Sequence, residues 1–498
     1  MKVFCLLRTL SYLRLPQIIF QVKYRLKKPA YMQLEAPIGD SGFNSRDFGL
    51  KTEPIPKYRC YEGDKFTFLN LEHEFVGWNF ADNGMLWAYN QNYFDWINQE
   101  GCSEEDGCKW IDKFIEELPS NRIGLDPYPI ALRSINWIKF FCRYPESATK
   151  QRLDLLYSQL RLLEKKLEYH LLGNHLLEDA FALYIGGSYF NDKALLGRAK
   201  KILLSQLEEQ ILPDGSHYEQ SPMYHCILLD RLLDCINIEM EDGRRCKAEF
   251  AQRMLGHLES VIWADGSIPM LNDSAEGIAP TPNQLFDYAK RLGLEWKAIT
   301  MKECGYWKFQ NEHLEAIVDV GNITATYQPG HTHADTFSYE LRVDGKPFIV
   351  DTGISTYNKT YRRQYERSTA AHNTVSVDGK SSSEVWGGFR VGKRATVSLK
   401  KNESSVIEAS HNGFEKNCRR HFEINDEAFM IEDWYDGDAV SYIHLAEGAD
   451  EKHIKVEGAE SVETKLCKYS IEYNRFIESK VIEIRFKGHC KYTIQKKI

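Results

Sequence analysis

The sequence lacks several features that would assign a class of protein at once. Its 498 residues contain no CxxC pair among 12 cysteines, no long charge-free apolar run and no excess of basic residues, with a formal net charge of -8. A large basic footprint for nucleic acid is therefore not expected, although a local basic groove for an anionic ligand is compatible with this balance. Scattered cysteines without a redox motif favour free thiols in a reducing compartment.

Residues 1–28 are basic and apolar, yet they match neither a secretion signal nor a membrane span. Arg8 and Arg14 interrupt the apolar run, and seven basic residues but no acidic one precede Glu35. Such a segment forms an amphipathic helix that packs on the folded domain or lies on an anionic membrane surface as a peripheral contact. We therefore expect a cytoplasmic or membrane-peripheral protein.

Hydrophobic periodicity divides the rest of the chain into two domains. Residues 1–60 read as an irregular extension that carries the basic amphipathic segment. Residues 61–300 place apolar side chains three or four positions apart, which predicts paired helices of an α-solenoid or α/α toroid. Residues 301–498 show short alternating segments separated by Asn-Gly and Asp-Gly turns, which predicts a sandwich of antiparallel sheets. Because no low-complexity linker separates the two domains, we expect an interface with a ligand cleft.

The stretch 327–390 has the composition of a metal site. It contains His331, His333 and His372, and Asp351 follows an apolar run at the end of a predicted strand. Imidazole and carboxylate groups are ligands that zinc accepts. Period-two spacing predicts that His331 and His333 share one face of an extended strand. The alternative is a hydrogen-bonded His/Asp cluster without metal.

Polar clusters interrupt the helical pattern at four places, residues 86–96, 126–137, 173–180 and 213–225. Each has an ordinary structural explanation when taken alone. Asn174 could cap a helix, and Tyr224 could be a core aromatic residue with a satisfied hydroxyl.

These clusters, combined with the motifs PGHTHADTFSYEL, FIVDTG, STAAHNTVSVDG and SSEVWGGFR, resemble the heparinase II/III-like polysaccharide lyases over residues 75–400. The resemblance implies a multidomain α+β protein, with an N-terminal incomplete α/α toroid followed by a C-terminal antiparallel β-sandwich domain and an active site between them. It also implies β-elimination of a uronic-acid-containing, anionic polysaccharide. The basic start is similar to that of family members associated with exopolysaccharide or capsule, and the family-based alternative location is the periplasm.

The resemblance also implies roles for individual residues. Tyr224 is expected to be the catalytic tyrosine and His331 its partner histidine, while Asn174 or His175 neutralises the uronate carboxylate. The positions that bind a structural zinc ion (Zn2+) in related lyases correspond to His333, Asp351 and His372. The expected substrate contacts are Tyr89, Asn90, Arg133, Asn136, Trp137 and Glu178. Arg133 could form a two-pronged pair with a carboxylate or sulfate, and Glu178 could orient the neighbouring group. The alternative for the other five residues is a buried network that lines the toroid.

Two other functions are compatible with the sequence. A glycan-binding or assembly protein could use the same fold without catalysis. A glycoside hydrolase would need paired carboxylates across the cleft, for which Glu178 with Glu219 or Asp273 could be proposed. The oligomeric state does not follow from the sequence.

Overall fold

The computed structural model describes residues 2–26, 29–37, 49–238 and 241–496. Helices dominate the first part of the chain. They are α1 (Lys2–Ser11), α2 (Leu15–Leu26), α3 (Met85–Tyr93), α4 (Glu104–Glu117), α5 (Pro127–Arg143), α6 (Lys150–Lys166), α7 (Gly173–Tyr189), α8 (Lys193–Gln210), α9 (Pro222–Asn237), α10 (Glu241–Val261) and α11 (Pro282–Arg291). A small antiparallel sheet precedes α3 and contains β1 (Tyr61–Glu62), β2 (Lys65–Phe68) and β3 (Leu71–Glu74).

Helices α3 to α11 form an incomplete α/α toroid, which confirms the predicted class of the helical domain. Helix α7 is packed on α5, α8 and α9, so it lies at the centre of the array. Nearly all of its residues are buried, including the polar Asn174, Glu178 and Asp179, as expected for a helix that is surrounded by others. Four buried tryptophans, Trp78, Trp96, Trp110 and Trp137, fill the core at one end, and this packing accounts for much of the high aromatic content.

Antiparallel sheets form the second domain, as predicted. The strands are β4 (Tyr306–Gln310), β5 (Leu314–Asp319), β6 (Tyr339–Val343), β7 (Lys346–Ile349), β8 (Val375–Ser376), β9 (Val385–Trp386), β10 (Arg390–Val391), β11 (Val397–Glu403), β12 (Val406–His411), β13 (Cys418–Ile424), β14 (Ala428–His444), β15 (Ile454–Glu472) and β16 (Arg475–Gln495). One short helix, α12 (Tyr361–Glu366), lies between β7 and β8.

Two of these sheets enclose the core of the β domain. The four-stranded sheet has the order β4-β5-β6-β7, and the seven-stranded sheet has the order β11-β12-β13-β14-β16-β15 with β8 paired to β14. Alternate residues of β13 and β14 are buried, and Phe422 and Ile431 meet Tyr339 and Phe348 of the smaller sheet in one apolar cluster. The alternating apolar residues of the sequence therefore lie on the inward face of a β-sandwich.

The N-terminal segment is helical, as its amphipathic pattern predicts. Residues 2–26 form α1 and α2, which contact both domains. Gln17 Nε2 donates hydrogen bonds to the carbonyl oxygens of Leu171 (3.1 Å) and Tyr327 (3.2 Å). The Trp386 indole donates to Thr9 Oγ1 at 3.1 Å. Within the described chain, no helix is long and apolar enough to cross a bilayer.

Candidate active site between the helical and β domains

A cleft of about 1340 Å³ lies between the two domains and is closed on one side by α1 and α2. The helical domain contributes Asn174, His175 and Tyr224 to its wall, and the β domain contributes His331 and Tyr357. All four predicted catalytic residues therefore line one cavity, although 157 positions separate Asn174 from His331. Clefts of this size between domains are common ligand sites.

Asn174 is held at the N-terminus of α7 by Glu219. The Glu219 carboxylate accepts a hydrogen bond from the Asn174 backbone N–H (2.9 Å) and another from Asn174 Nδ2 (2.8 Å). It therefore satisfies an orphan N–H of the helix and complements the helix dipole. Asn174 is not the N-cap, since that position belongs to Leu172. Gly173 makes room for Glu219, because its φ is +62° and a Cβ atom there would lie 2.5 Å from Glu219 Oε1.

Tyr224 and His331 face each other across the domain interface. Their rings lie 3.9 Å apart with an interplanar angle of 32°. Tyr224 is placed by the start of α9, where the Ser221 hydroxyl caps the Tyr224 backbone N–H and Pro222 occupies the first turn. The Tyr357 hydroxyl lies 3.4 Å from both Tyr224 Oη and His331 Nδ1.

Asp273 is buried below the cleft wall and connects the helical domain to the β domain at the site. Its carboxylate accepts hydrogen bonds from His331 Nδ1 (2.9 Å) and His333 Nε2 (2.8 Å). The Arg363 guanidinium forms a two-pronged ion pair with the same carboxylate, at 2.5 and 2.7 Å. Asp273 comes from the helical domain and its three partners come from the β domain, so one buried charge network fixes both the interface and the orientation of His331.

This network also affects the pKa values of Asp273 and Tyr224. Burial alone would raise the pKa of Asp273, but Arg363 and the two histidine N–H groups outweigh it and hold that pKa well below its usual range. Burial raises the pKa of Tyr224, with a further increase from Asp273 and Glu219, while the hydrogen bond from Tyr357 and the charge of Arg363 act against it. Asp273 is therefore ionised and Tyr224 is a neutral phenol at neutral pH.

His331 and His333 lie in the loop between β5 and β6, not on the predicted strand. Local pairing explains the difference, because the His331 carbonyl accepts from the Asp273 backbone N–H and the His333 N–H donates to Asn272 Oδ1 at 2.9 Å. The loop is thus bonded to the helical domain instead of to a neighbouring strand. Both rings nevertheless point to one carboxylate.

His175 is oriented differently from Asn174. Its Nδ1 atom lies 3.0 Å from Glu168 Oε2, and its ring packs edge-on against Tyr128. Burial would lower the pKa of His175, but the Glu168 carboxylate raises it above the ordinary value through its charge and the hydrogen bond. This shift favours the protonated form of His175 on the cleft wall, while Asn174 is the group next to His331, with its Nδ2 atom 3.4 Å from His331 Nε2.

Three of the six predicted substrate contacts line the cleft, namely Tyr89, Asn90 and Asn136. The other three, Arg133, Trp137 and Glu178, are fully buried and do not line it. For Arg133 and Trp137 this placement agrees with the alternative of a buried network, not with substrate contact.

Each of the three has a structural role behind the wall. Arg133 donates to Gln159 Oε1 (2.7 Å) and to the carbonyl oxygens of Asn92 and Gly124. Trp137 packs in the aromatic core. Glu178 lies 3.6 Å from Arg231 Nε, and burial raises its pKa to about 7.

The predicted metal ligands are close together but are not arranged as a closed site. His372 Nδ1 lies 2.6 Å from Asp351 Oδ2, and the His333 and His372 rings are 5.2 Å apart. His333 Nδ1 and His372 Nε2 are buried with no hydrogen-bond partner among the described residues. Two unpartnered imidazole nitrogens beside a carboxylate suit a zinc ion by donor type.

A different trio, Asp214, His257 and Cys304, has ligand atoms within 4.8 Å of one another, and among the described residues only this group does. Asp214 is already satisfied without an ion. Its Oδ2 accepts from the backbone N–H groups of residues 302, 303 and 304 at 2.8–3.0 Å, and its Oδ1 accepts from Ser216. This carboxylate therefore anchors the segment that joins the two domains.

Basic side chains outnumber acidic ones along the cleft. The lining cations are Arg25, Lys57, Lys139, Arg231, Lys359, Arg390 and Arg394. The lining carboxylates among the described residues are Asp95 and Asp230, which pair with Lys57 (2.8 Å) and Arg231 (2.7 Å). The excess positive charge suits an anionic ligand.

Sequence reasoning did not identify Tyr357 and Arg363 and considered Asp273 only as a hydrolase carboxylate. Asp273 and Arg363 are 90 positions apart, so no local pattern joins them. The one signal is that Arg363 belongs to the charged segment YRRQYER between two recognised motifs.

Comparison with known proteins agrees with this geometry. The model "Heparinase II/III N-terminus" matches residues 133–291, and "Heparinase II/III-like, C-terminal" matches residues 295–491. The chain belongs to the heparinase II/III-like family, as its motifs predict.

Individual relatives are more distant. A heparin-sulfate lyase of Pedobacter heparinus is 25% identical over 335 residues, which are 59% of this chain and 48% of that protein. One of Bacteroides thetaiotaomicron is 23% identical over 332 residues, with 55% and 46% covered. The chain thus spans about half the length of the curated relatives it matches. A crystal structure of heparinase III covers 95% of this chain and 88% of its own, with 15% identity and a TM-score of 0.66, which establishes the fold.

Proposed function

We propose that the protein is a lyase that cleaves a uronic-acid-containing polysaccharide by β-elimination in the cleft. The observation that supports this most is the convergence of Asn174, Tyr224 and His331 on one wall, with Asp273 behind His331. Family membership and the names of the heparin-sulfate lyases point to the same chemistry.

Each step of an elimination has a matching group. The C5 proton of a uronate is acidic only when the neighbouring carboxylate is neutralised, and the Asn174 amide can donate to that carboxylate. Because His331 Nδ1–H donates to Asp273, we assign the lone pair of the imidazole to Nε2, which lies 3.4 Å from Asn174 Nδ2, and this atom is the base. The neutral Tyr224 phenol then protonates the leaving glycosidic oxygen. His175 is the alternative neutralising group, since Glu168 favours its protonated form and it lines the same cleft.

The hydrolase alternative is disfavoured because its three candidate carboxylates, Glu178, Glu219 and Asp273, are buried and do not line the cleft. An acid catalyst also needs a carboxyl group that stays protonated, whereas Asp273 is held ionised by Arg363. A screen of uronate polymers, including the source organism's own capsule, tests the proposal. We expect products that absorb ultraviolet light through a new C4–C5 double bond. Cleavage without that absorbance would contradict a lyase, and binding without cleavage would favour the glycan-binding function.

The cationic side of the cleft supports an anionic polymer as substrate, with Tyr89, Asn90 and Asn136 as neutral contacts. The basic amphipathic start supports a role in exopolysaccharide or capsule metabolism, because a polymer made at a membrane would be the nearest substrate.

Replacing two arginines separates substrate contacts from structural groups. Arg390→Ala should raise KM about tenfold by removing a cation from the cleft, with the melting temperature unchanged. Arg133→Leu should instead lower the free energy of unfolding by about 3 kcal/mol, because it leaves buried acceptors without donors, with KM unchanged in the folded fraction. The reverse pattern would place Arg133 in the substrate site. Thermal unfolding and initial rates give both quantities.

We also propose that His333, Asp351 and His372 hold a structural zinc ion, which when bound would crosslink the loop carrying His331 to the β domain. The unpartnered His333 Nδ1 and His372 Nε2 support this. Elemental analysis of purified protein should find stoichiometric zinc, lost in His372→Ala but kept in His411→Gln, a matched buried histidine of the β domain. Zinc-free wild-type protein that melts at the same temperature with and without added zinc would contradict the assignment.

A further inference from the structure

Helix α2 exposes an unbroken apolar stripe to solvent. Five residues spaced i, i+3, i+4, i+7 and i+11 share one face of the helix, and they are 45–82% exposed: Leu15, Ile18, Ile19, Val22 and Leu26. Helix α1 adds Phe4 and Leu7, which are 66% and 57% exposed. Monomeric proteins rarely leave such a contiguous patch uncovered without a function.

The inward face of α2 is mixed and does not include its aliphatic stripe. Gln17 is buried and donates to two carbonyl oxygens, the Tyr24 hydroxyl donates to the Leu167 carbonyl at 2.6 Å, and the Phe20 ring packs on Tyr169 at 4.7 Å. Gln21 on this face lines the cleft. A helix that only needed to cover the domain would bury its apolar stripe, so α2 is fixed by hydrogen bonds in the orientation that presents the stripe outward.

Charge indicates what covers the stripe. Lys23 and Arg25 lie on opposite sides of it at the helical spacing, and neither pairs with a carboxylate within the described part of the chain. Arg25 also lines the cleft, so it lies at the rim between cleft and stripe, whereas Lys23 lies outside the cleft. Seven basic residues and no acidic one precede Glu35 in a chain of net charge -8. Arg8 and Arg14 pair with Glu384 and Glu209, so Lys23 and Arg25 supply the unpaired charge beside the stripe. An apolar stripe flanked by unpaired cations matches the boundary between acyl chains and acidic headgroups.

We propose that α1 and α2 dock the protein on an anionic phospholipid bilayer, with Leu15, Ile18, Ile19, Val22 and Leu26 inserted among the upper acyl chains. The docking is peripheral, since no described helix can span the membrane. The inner faces of the same helices line the cleft through Leu10, Leu13 and Gln17. The bilayer therefore lies directly outside one wall of the cleft. The inference does not depend on the proposed chemistry.

The test is sedimentation of the full-length protein with phosphatidylcholine vesicles that do or do not contain phosphatidylglycerol. Wild-type protein should bind the anionic vesicles. The double variant Ile18→Ser, Ile19→Ser should bind at least about tenfold more weakly, because it removes two aliphatic side chains that would insert into the bilayer. Lys23→Glu should weaken binding to anionic vesicles about fivefold or more and leave neutral vesicles unaffected.

A matched control is Leu466→Ser, since Leu466 is 90% exposed and belongs to β15 of the β domain instead of to α1 or α2. It should bind vesicles like the wild type. Light scattering tests whether a second copy of the protein, instead of a bilayer, covers the apolar stripe. A dimer that Ile18→Ser, Ile19→Ser converts to a monomer, with no vesicle binding by the wild type, would overturn the proposal in favour of self-association. Equal binding by the wild type and the double variant would overturn it as well.

Discussion

The variant Tyr224→Phe is expected to lower kcat by about a thousandfold, within the range that a positioned proton donor contributes. The phenyl ring keeps the 3.9 Å stacking on His331 and loses only the hydroxyl, whose recorded partner is the Tyr357 hydroxyl at 3.4 Å. The melting temperature should therefore change little. Initial rates of ultraviolet absorbance on a cleaved polymer, with thermal unfolding of the same sample, give both numbers.

The control for Tyr224→Phe is Tyr435→Phe, which removes the hydroxyl of another buried tyrosine, in the β domain. It should keep wild-type turnover. If Tyr224→Phe turns over at the wild-type rate, Tyr224 is not the proton donor, and the elimination must take its acid from elsewhere.

The variant Asp273→Asn is expected to impair both activity and stability. It removes the acceptor that fixes His331 Nδ1–H, so kcat should fall by about a hundredfold or more. It also leaves the buried Arg363 guanidinium without its counter-charge, at a cost of about 3–5 kcal/mol in the free energy of unfolding. Denaturant unfolding and rates on the folded fraction measure the two effects separately.

A second substitution separates the two roles of Asp273. Adding Arg363→Met to Asp273→Asn removes the unpaired charge, so stability should recover in part while turnover stays low. Normal turnover in the double variant would mean that Asp273 serves only the domain interface and that His331 needs no orienting carboxylate.

The sequence predicts the architecture because helical and strand periodicities are local properties. The segments with apolar residues three or four positions apart form α3 to α11. The segments with alternating apolar residues form β12 to β14, each with one buried face. The outward stripe of α2 follows the same rule, yet its direction could not be predicted, since periodicity locates a face without saying what covers it.

Only the site residues that lie in recognisable sequence motifs could be predicted. Asn174, Tyr224 and His331 converge on one wall of the cleft, where the motifs place them. The sequence could not decide whether Arg133 binds an anionic substrate. An arginine that donates to buried carbonyl oxygens has the same local sequence pattern as one that faces a cleft. Asp273 and Arg363 stayed hidden because an ion pair between distant segments exists only after folding.

The most direct test of elimination is cleavage of a uronate polymer in water enriched in heavy oxygen, followed by mass spectrometry of the products. An elimination breaks the C4–O bond by loss of the C5 proton and adds no water, so the products should carry no heavy oxygen beyond what the reducing end exchanges in a parallel incubation. A hydrolase adds one water molecule per bond cleaved. Incorporation of heavy oxygen with no unsaturated end would contradict the proposed role of Asn174, Tyr224 and His331.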